Sequence, residues 1–122
     1  MTNDFRMSYF MPPIAPIKDE HGQLVTPPTL IPCCEVSVEQ VFQMITGNKN
    51  LKVLTEQVRN SEDIRTAKAS LLPYVTPCGT FSRRSSKCLI DPSLLTVVDI
   101  DYLTSYQEAV EMRKTLFNDP LL

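Results

Sequence analysis

The sequence predicts an α/β or α+β domain in which a mixed sheet is packed by three or more helices. Three stretches carry that expectation. Ser37-Val38-Glu39-Gln40 has a capping-box pattern, with Gln40 three residues after a serine N-cap, and Val38, Val41, Phe42 and Ile45 then share one helical face. A second helical stretch from Leu51 repeats its apolar residues at Leu54 and Val58, then at Ile64, Ala67 and Leu71, with a break expected near Asn60-Ser61. Leu94-Leu95-Thr96-Val97-Val98-Asp99-Ile100-Asp101 is a short apolar run of the kind that forms a strand buried on both faces.

Composition bounds what the chain can be. With 122 residues, 43% of them hydrophobic and 21% charged, it has the make-up of one ordinary globular domain or part of one. The net charge of −2 gives no global attraction for nucleic acid, so any basic surface is local. No apolar run approaches the length of a membrane span. The N-terminus carries Asp4 and Arg6, and Pro12, Pro13 and Pro16 break its apolar part, so it makes a poor signal peptide. A cytoplasmic protein without a membrane partner is expected. Cys33, Cys34, Cys78 and Cys88 do not match zinc spacing, and His21 is the lone histidine. In a reducing compartment these read as buried or half-buried free thiols, with Cys34 and Cys78 as the alternatives for an exposed reactive thiol.

Six of the ten prolines fall within residues 1–34. Proline cannot donate to a ladder, so residues 1–34 read as an extended, Pro-rich edge segment with a mobile beginning and no central strand. Lys18 to Gln23 has the make-up of a hairpin tip, with His21 as a solvated loop residue. Residues 35–122 form the second division of the chain, and its helices read as packing elements. Pro73 stops the second helical stretch. Tyr74 to Ser82 reads as strand, turn, strand, because Pro77 and Gly79 supply turn geometry around Cys78. The basic, serine-rich turn that follows holds Arg83, Arg84 and Lys87, and Pro92 closes it. Such a turn either contacts phosphates or is a solvated loop. Thr104-Ser105 offers two capping-box registers, with Gln107 and Glu108, for an amphipathic helix running to about Asn118.

Within a strand, Asp99 and Asp101 face the same way, with Cα atoms roughly 7 Å apart. Two carboxylates about 5 Å apart repel by about 3 kcal/mol at an effective dielectric near 20. A divalent cation held by oxygen ligands would offset that repulsion. The plainer alternative is that the strand ends there and Asp101 opens the turn into the next helix.

Leu72-Pro73-Tyr74-Val75-Thr76-Pro77-Cys78-Gly79-Thr80-Phe81-Ser82-Arg83-Arg84, a spacer, then Val97-Val98-Asp99-Ile100-Asp101 resembles the virulence-protein-E amino-terminal domain. That family looks like a branch of the archaeo-eukaryotic primase-polymerase superfamily carried on mobile elements, and the resemblance covers residues 36 to 118. It implies an incomplete primase-polymerase-like fold and a metal-dependent nucleotidyl-transfer site. Asp99 and Asp101 match its first metal-binding motif, and so stand as catalytic and metal-binding candidates for Mg²⁺ or Mn²⁺. It further implies DNA or RNA and nucleoside triphosphates as partners once the domain is completed, with a helicase as a further partner. Arg83, Arg84 and Lys87 are assigned to phosphates by charge alone. The sequence departs from the family at Cys78, where a serine is usual, and at Pro92-Ser93, where Ser-Gly is usual. The superfamily's downstream histidine and aspartate motifs have no counterpart after Asp101. Two carboxylates without further ligands should bind metal weakly, so this chain by itself is not expected to polymerise. The competing expectation is a non-catalytic module, or truncated gene product, that docks nucleic acid or a helicase.

Overall fold

The computed structural model describes residues 5–121; residues 1–4, expected to be mobile, lie outside the described residues, as does residue 122. The chain is α+β, with four helices and several small sheets among the described residues. Among the described residues every strand pairing is antiparallel, which corrects the expectation of a mixed sheet. The principal sheet has three strands in the order β4-β1-β5. Its strands are β1 (Arg6–Phe10), β4 (Cys34–Ser37) and β5 (Tyr74–Val75). Met7 of β1 lies opposite Val36 of β4, and Phe10 lies opposite Tyr74 of β5.

The middle position of β1 corrects the expectation that the Pro-rich segment stays at an edge. Proline excludes a ladder only where its missing N–H is needed. Arg6 to Phe10 contains none, and the prolines begin just beyond it. Met7, Phe10 and Val36 are buried, as are Val58 of α2 (Lys49–Arg59) and Pro13. The Phe10 and Tyr74 rings stack with centroids 4.9 Å apart.

The hairpin expected around Lys18 to Gln23 is present, formed by β2 (Ile17–Lys18) and β3 (Leu24–Thr26). The carboxylate of Asp19 accepts the amides of His21 and Gln23, each at 2.9 Å, and Gly22 takes φ 78° to close the turn. His21 is exposed at the tip.

Helix α1 (Val38–Gly47) begins with the complete capping box read from the sequence. The Gln40 amide donates to the Ser37 hydroxyl at 3.2 Å, and the Ser37 amide donates to the Gln40 side chain at 2.8 Å. Asn48 ends α1 and caps α2 at once, accepting the Leu51 amide. The expected break after Arg59 separates α2 from α3 (Ile64–Leu71), whose N-cap is Asp63. The apolar stripe of α1 remains largely outside the packing: Phe42 is 63% exposed and Ile45 79%.

After β5 the chain turns through Thr76–Cys78 into β6 (Gly79–Phe81), as expected. The basic turn then leads into β7 (Leu89–Pro92), which pairs back on β6, so Pro92 is the last residue of a strand rather than the closure of a loop. Helix α4 (Tyr106–Phe117) follows, capped by Ser105.

The largest correction concerns Leu94 to Asp101, which forms no strand. Leu94 is 84% exposed, Val97 65% and Val98 54%. The residues have the composition of a buried strand, but a strand exists only beside a ladder partner. Among the described residues no strand lies against this one: β6 is already paired with β7, and β5 with β1 on its inner side.

Candidate metal and phosphate site

Asp99 and Asp101 sit on this irregular, exposed stretch, followed by Tyr102 in the left-handed region at φ 63°. Among the described residues neither carboxylate makes a hydrogen bond or an ion pair. Most other acidic groups near turns are committed to the fold. Asp19 closes the first hairpin, Asp63 caps α3, Glu108 braces the start of α4, and Asp119 accepts the Leu121 amide.

The donor set falls short of a resident metal centre. Among the described residues no group of three or more His, Cys, Asp or Glu side chains is placed to hold an ion. Mg²⁺ bound by one or two carboxylates draws its remaining ligands from water and substrate phosphates. Two exposed aspartates by themselves do not make up such a ligand set.

The basic turn divides into two kinds of residue. Arg84 is a structural fastener: its amide donates to the Leu30 carbonyl at 2.7 Å, and its guanidinium donates to the Ile14 carbonyl. It ties the turn to the N-terminal segment while the side chain stays exposed, with further guanidinium donors beyond the one that this bond uses. Arg83 and Lys87 are exposed, and the Ser82 amide donates to the Cys88 carbonyl at 3.0 Å to close the turn beneath them. The turn is the closed end of the β6–β7 hairpin, whereas the chain bearing Asp99 and Asp101 leaves its open end, where Gly79 faces Pro92.

The cysteines also differ from expectation. Cys33, Cys34 and Cys78 are exposed free thiols, and Cys88 is half-buried. Desolvation, reinforced by neighbouring Cys33, holds the Cys34 thiol above its ordinary pKa, which lowers its thiolate fraction.

The block that carries the family resemblance forms a structural node. The Thr76 hydroxyl donates to the Gly79 carbonyl at 2.7 Å and accepts the Ser8 amide at 3.1 Å. The fully buried Ser8 hydroxyl in turn accepts the Phe81 amide at 2.8 Å. Gly79, at φ 148°, lets the two strands of the hairpin touch, because a Cβ there would overlap the Asp91 carbonyl oxygen and come within 2.9 Å of the Pro92 Cα. Residues 66–122 match a family described as the BT4734-like N-terminal domain. The match spans just under half of the chain and includes the aspartates and the node's residues from Thr76 to Pro92, but not Ser8. That description differs from the virulence-protein-E family. No curated protein and no solved structure gives a match.

Sequence reasoning missed Ser8, for which a lone serine in a strand gives no signal. It also missed an open groove of about 960 Å³ between α1, α2 and the chain from Leu72 to Val75. Lys49, Lys52, Glu56 and Arg59 of α2 line it at helical spacing. Tyr74 lines it as well, and the Tyr74 hydroxyl is buried without a hydrogen-bond partner among the described residues. The lysine and arginine spacing on α2 was legible, but the groove depends on how α2 meets β5. Among the described residues no helix is long and apolar enough to cross a membrane.

Proposed function

We propose that the chain is the amino-terminal portion of a primase-polymerase-like domain, related to the virulence-protein-E family, that works in cytoplasmic DNA replication of a mobile element. It contributes Asp99 and Asp101 to nucleotidyl transfer, and the completed domain, water and substrate phosphates supply the remaining ligands. One observation carries this reading. These two carboxylates stand two residues apart and do nothing for the fold, so they are uncommitted and open to a ligand. That the matched family is described as an N-terminal domain suits a segment leading into a larger unit. Mg²⁺ or Mn²⁺, nucleoside triphosphates and DNA or RNA are the partners of the completed site, with a helicase beside it. Arg83 and Lys87 retain the charge and exposure for phosphate contact. Because two carboxylates do not fill a metal centre, no catalytic step is assigned to this chain alone.

A second reading, a non-catalytic docking module for nucleic acid or a helicase, is favoured by the exposed apolar stripe of α1 at Phe42 and Ile45. Manganese titration followed by electron paramagnetic resonance, with and without a nucleoside triphosphate, separates the two. The first reading expects weak binding, strengthened by the nucleotide and reduced by Asp99→Asn or Asp101→Asn, with circular dichroism unchanged. Equal binding by the variants and the parent chain would sink it and leave the docking module.

A further inference from the structure

A free sheet edge, a basic groove and an unpaired apolar run lie close together along the chain. The edge belongs to β5, the outermost strand of the order β4-β1-β5. The Thr76 amide donates to the Ser8 carbonyl at 3.0 Å, and the Cys33 amide donates to the Tyr9 carbonyl at 2.8 Å. Polar groups of Ser8 therefore face the β5 side and those of Tyr9 face the β4 side. Bonded and non-bonded pairs alternate in an antiparallel ladder, so Val75, opposite Tyr9, turns its N–H and C=O away from β1 toward the open edge. Pro73 and Pro77, which flank β5, have no N–H, so the edge offers another strand one donor, at Val75, and otherwise carbonyl acceptors alone.

The apolar run begins beside that edge. The Ser93 amide donates to the Cys78 carbonyl at 2.8 Å, and the Ser93 hydroxyl donates to the Pro77 carbonyl. These bonds extend the β6–β7 register, in which Gly79 faces Pro92, by one further residue. Beyond the turn that the Gly79 amide closes on the Thr76 carbonyl, the run continues antiparallel to β5, with Leu94 to Thr96 within reach of Val75. Ser93 to Thr96 spans about 10 Å when extended. The turn Thr76–Cys78 shortens the distance to be covered on the other side, so reach is sufficient. Leu72 to Val75 also line the groove whose wall carries Lys49, Lys52 and Arg59 against Glu56 alone. A run rich in Leu and Val that ends in two aspartates complements that wall in both hydrophobicity and charge.

We propose that residues 94–98 add to the free edge of β5 as a fourth strand, giving the order β4-β1-β5-new strand, and that the structure shows this strap in its open position. The occupant is the chain's own segment because Ser93 already holds it at the edge, and a tethered segment works at an effective concentration in the millimolar range. Docking sets Leu95 and Val97 on the same face as Asp99 and Asp101 and mounts the two aspartates on a rigid strand end. The strand addition involves no metal, so its failure and the failure of the manganese titration are separate results.

Amide hydrogen exchange read by NMR on the full chain tests the proposal. The expected result is slowing on the order of tenfold or more at Val75 and at alternate amides of residues 94–98, independent of protein concentration. Cross-strand Hα contacts from this run to Tyr74 and Val75 should accompany it. Val97→Lys combined with Val98→Lys should abolish that protection while leaving the β1 amides protected, because both side chains are exposed in the open form. Fast exchange throughout 94–98 overturns the proposal. Protection that rises with concentration also overturns it, assigning the edge to a second copy. Protection unchanged by the lysine variant overturns it too.

Discussion

Gly79 is where one residue type decides the local backbone. Its φ of 148° lies where side chains are rarely tolerated, and the space for a Cβ is already filled by the backbone of Asp91 and Pro92. Gly79→Ala must therefore separate β6 from β7 or shift the turn that Thr76 holds. We expect a loss of about 2–4 kcal/mol in urea unfolding. A loss below about 0.5 kcal/mol would mean that the hairpin relaxes freely. The glycine was visible in the sequence as a turn residue, but the reason for it was not. Asp91 and Pro92 become its neighbours only when β7 folds back.

Among the elements, the helices were the most legible because their ends are encoded locally. Ser37 with Gln40, Asn48, Asp63 and Ser105 each supply a side-chain acceptor for the exposed amides of a first turn. At α3 the Thr66 hydroxyl donates to Asp63 at 2.6 Å, and the Thr66 amide bonds to it as well. At α4 the Thr104 hydroxyl and amide donate to Glu108 at 2.5 and 2.8 Å. In each case the hydroxyl bond is the main cause that holds the carboxyl below its ordinary pKa, and the amide bond adds to it. A depressed folded pKa means that the stabilisation is complete above the unfolded value, about pH 4, and is lost as pH falls through the lowered folded value. Acid titration followed by NMR should show the Thr66 and Thr104 amides losing their bonded shifts below about pH 4, with no change between about pH 6 and 8. Loss of those shifts above about pH 5 would show that the carboxylates are not the anchors. The strands were less legible. Arg6 to Phe10 became central through partners about thirty and seventy residues away, which no local pattern announces.

At the scale of the whole molecule, a small core carries a large surface. The accessible area is 9818 Å², against about 6,600 Å² for a compact monomer of this size. Stability is therefore concentrated in few residues. Phe10 is 1% exposed, pairs with Tyr74 across the sheet and stacks on its ring. Phe10→Ala should cost about 3–5 kcal/mol, a large part of the 5–15 kcal/mol typical of a domain. The urea midpoint should fall accordingly; a variant that kept the parent midpoint would place the core elsewhere. The same open surface leaves α1's stripe and the run from Leu94 to Val98 in solvent, where a tethered strand or a partner has apolar area to cover.

The sequence by itself determined helices packed with sheet, open between α/β and α+β, together with the starts of α1 and α4, the first hairpin and the turn at Pro77 to Gly79, because capping and turn chemistry act within four residues. It also marked Asp99 and Asp101 as a pair. Only the tertiary structure decided which strands found partners. That is why β1 lies at the centre, why the Arg84 guanidinium reaches the Ile14 carbonyl, and why Leu94 to Asp101 stands outside the sheet. A strand's composition states a need for burial and hydrogen bonding, and whether that need is met depends on distant backbone lying alongside.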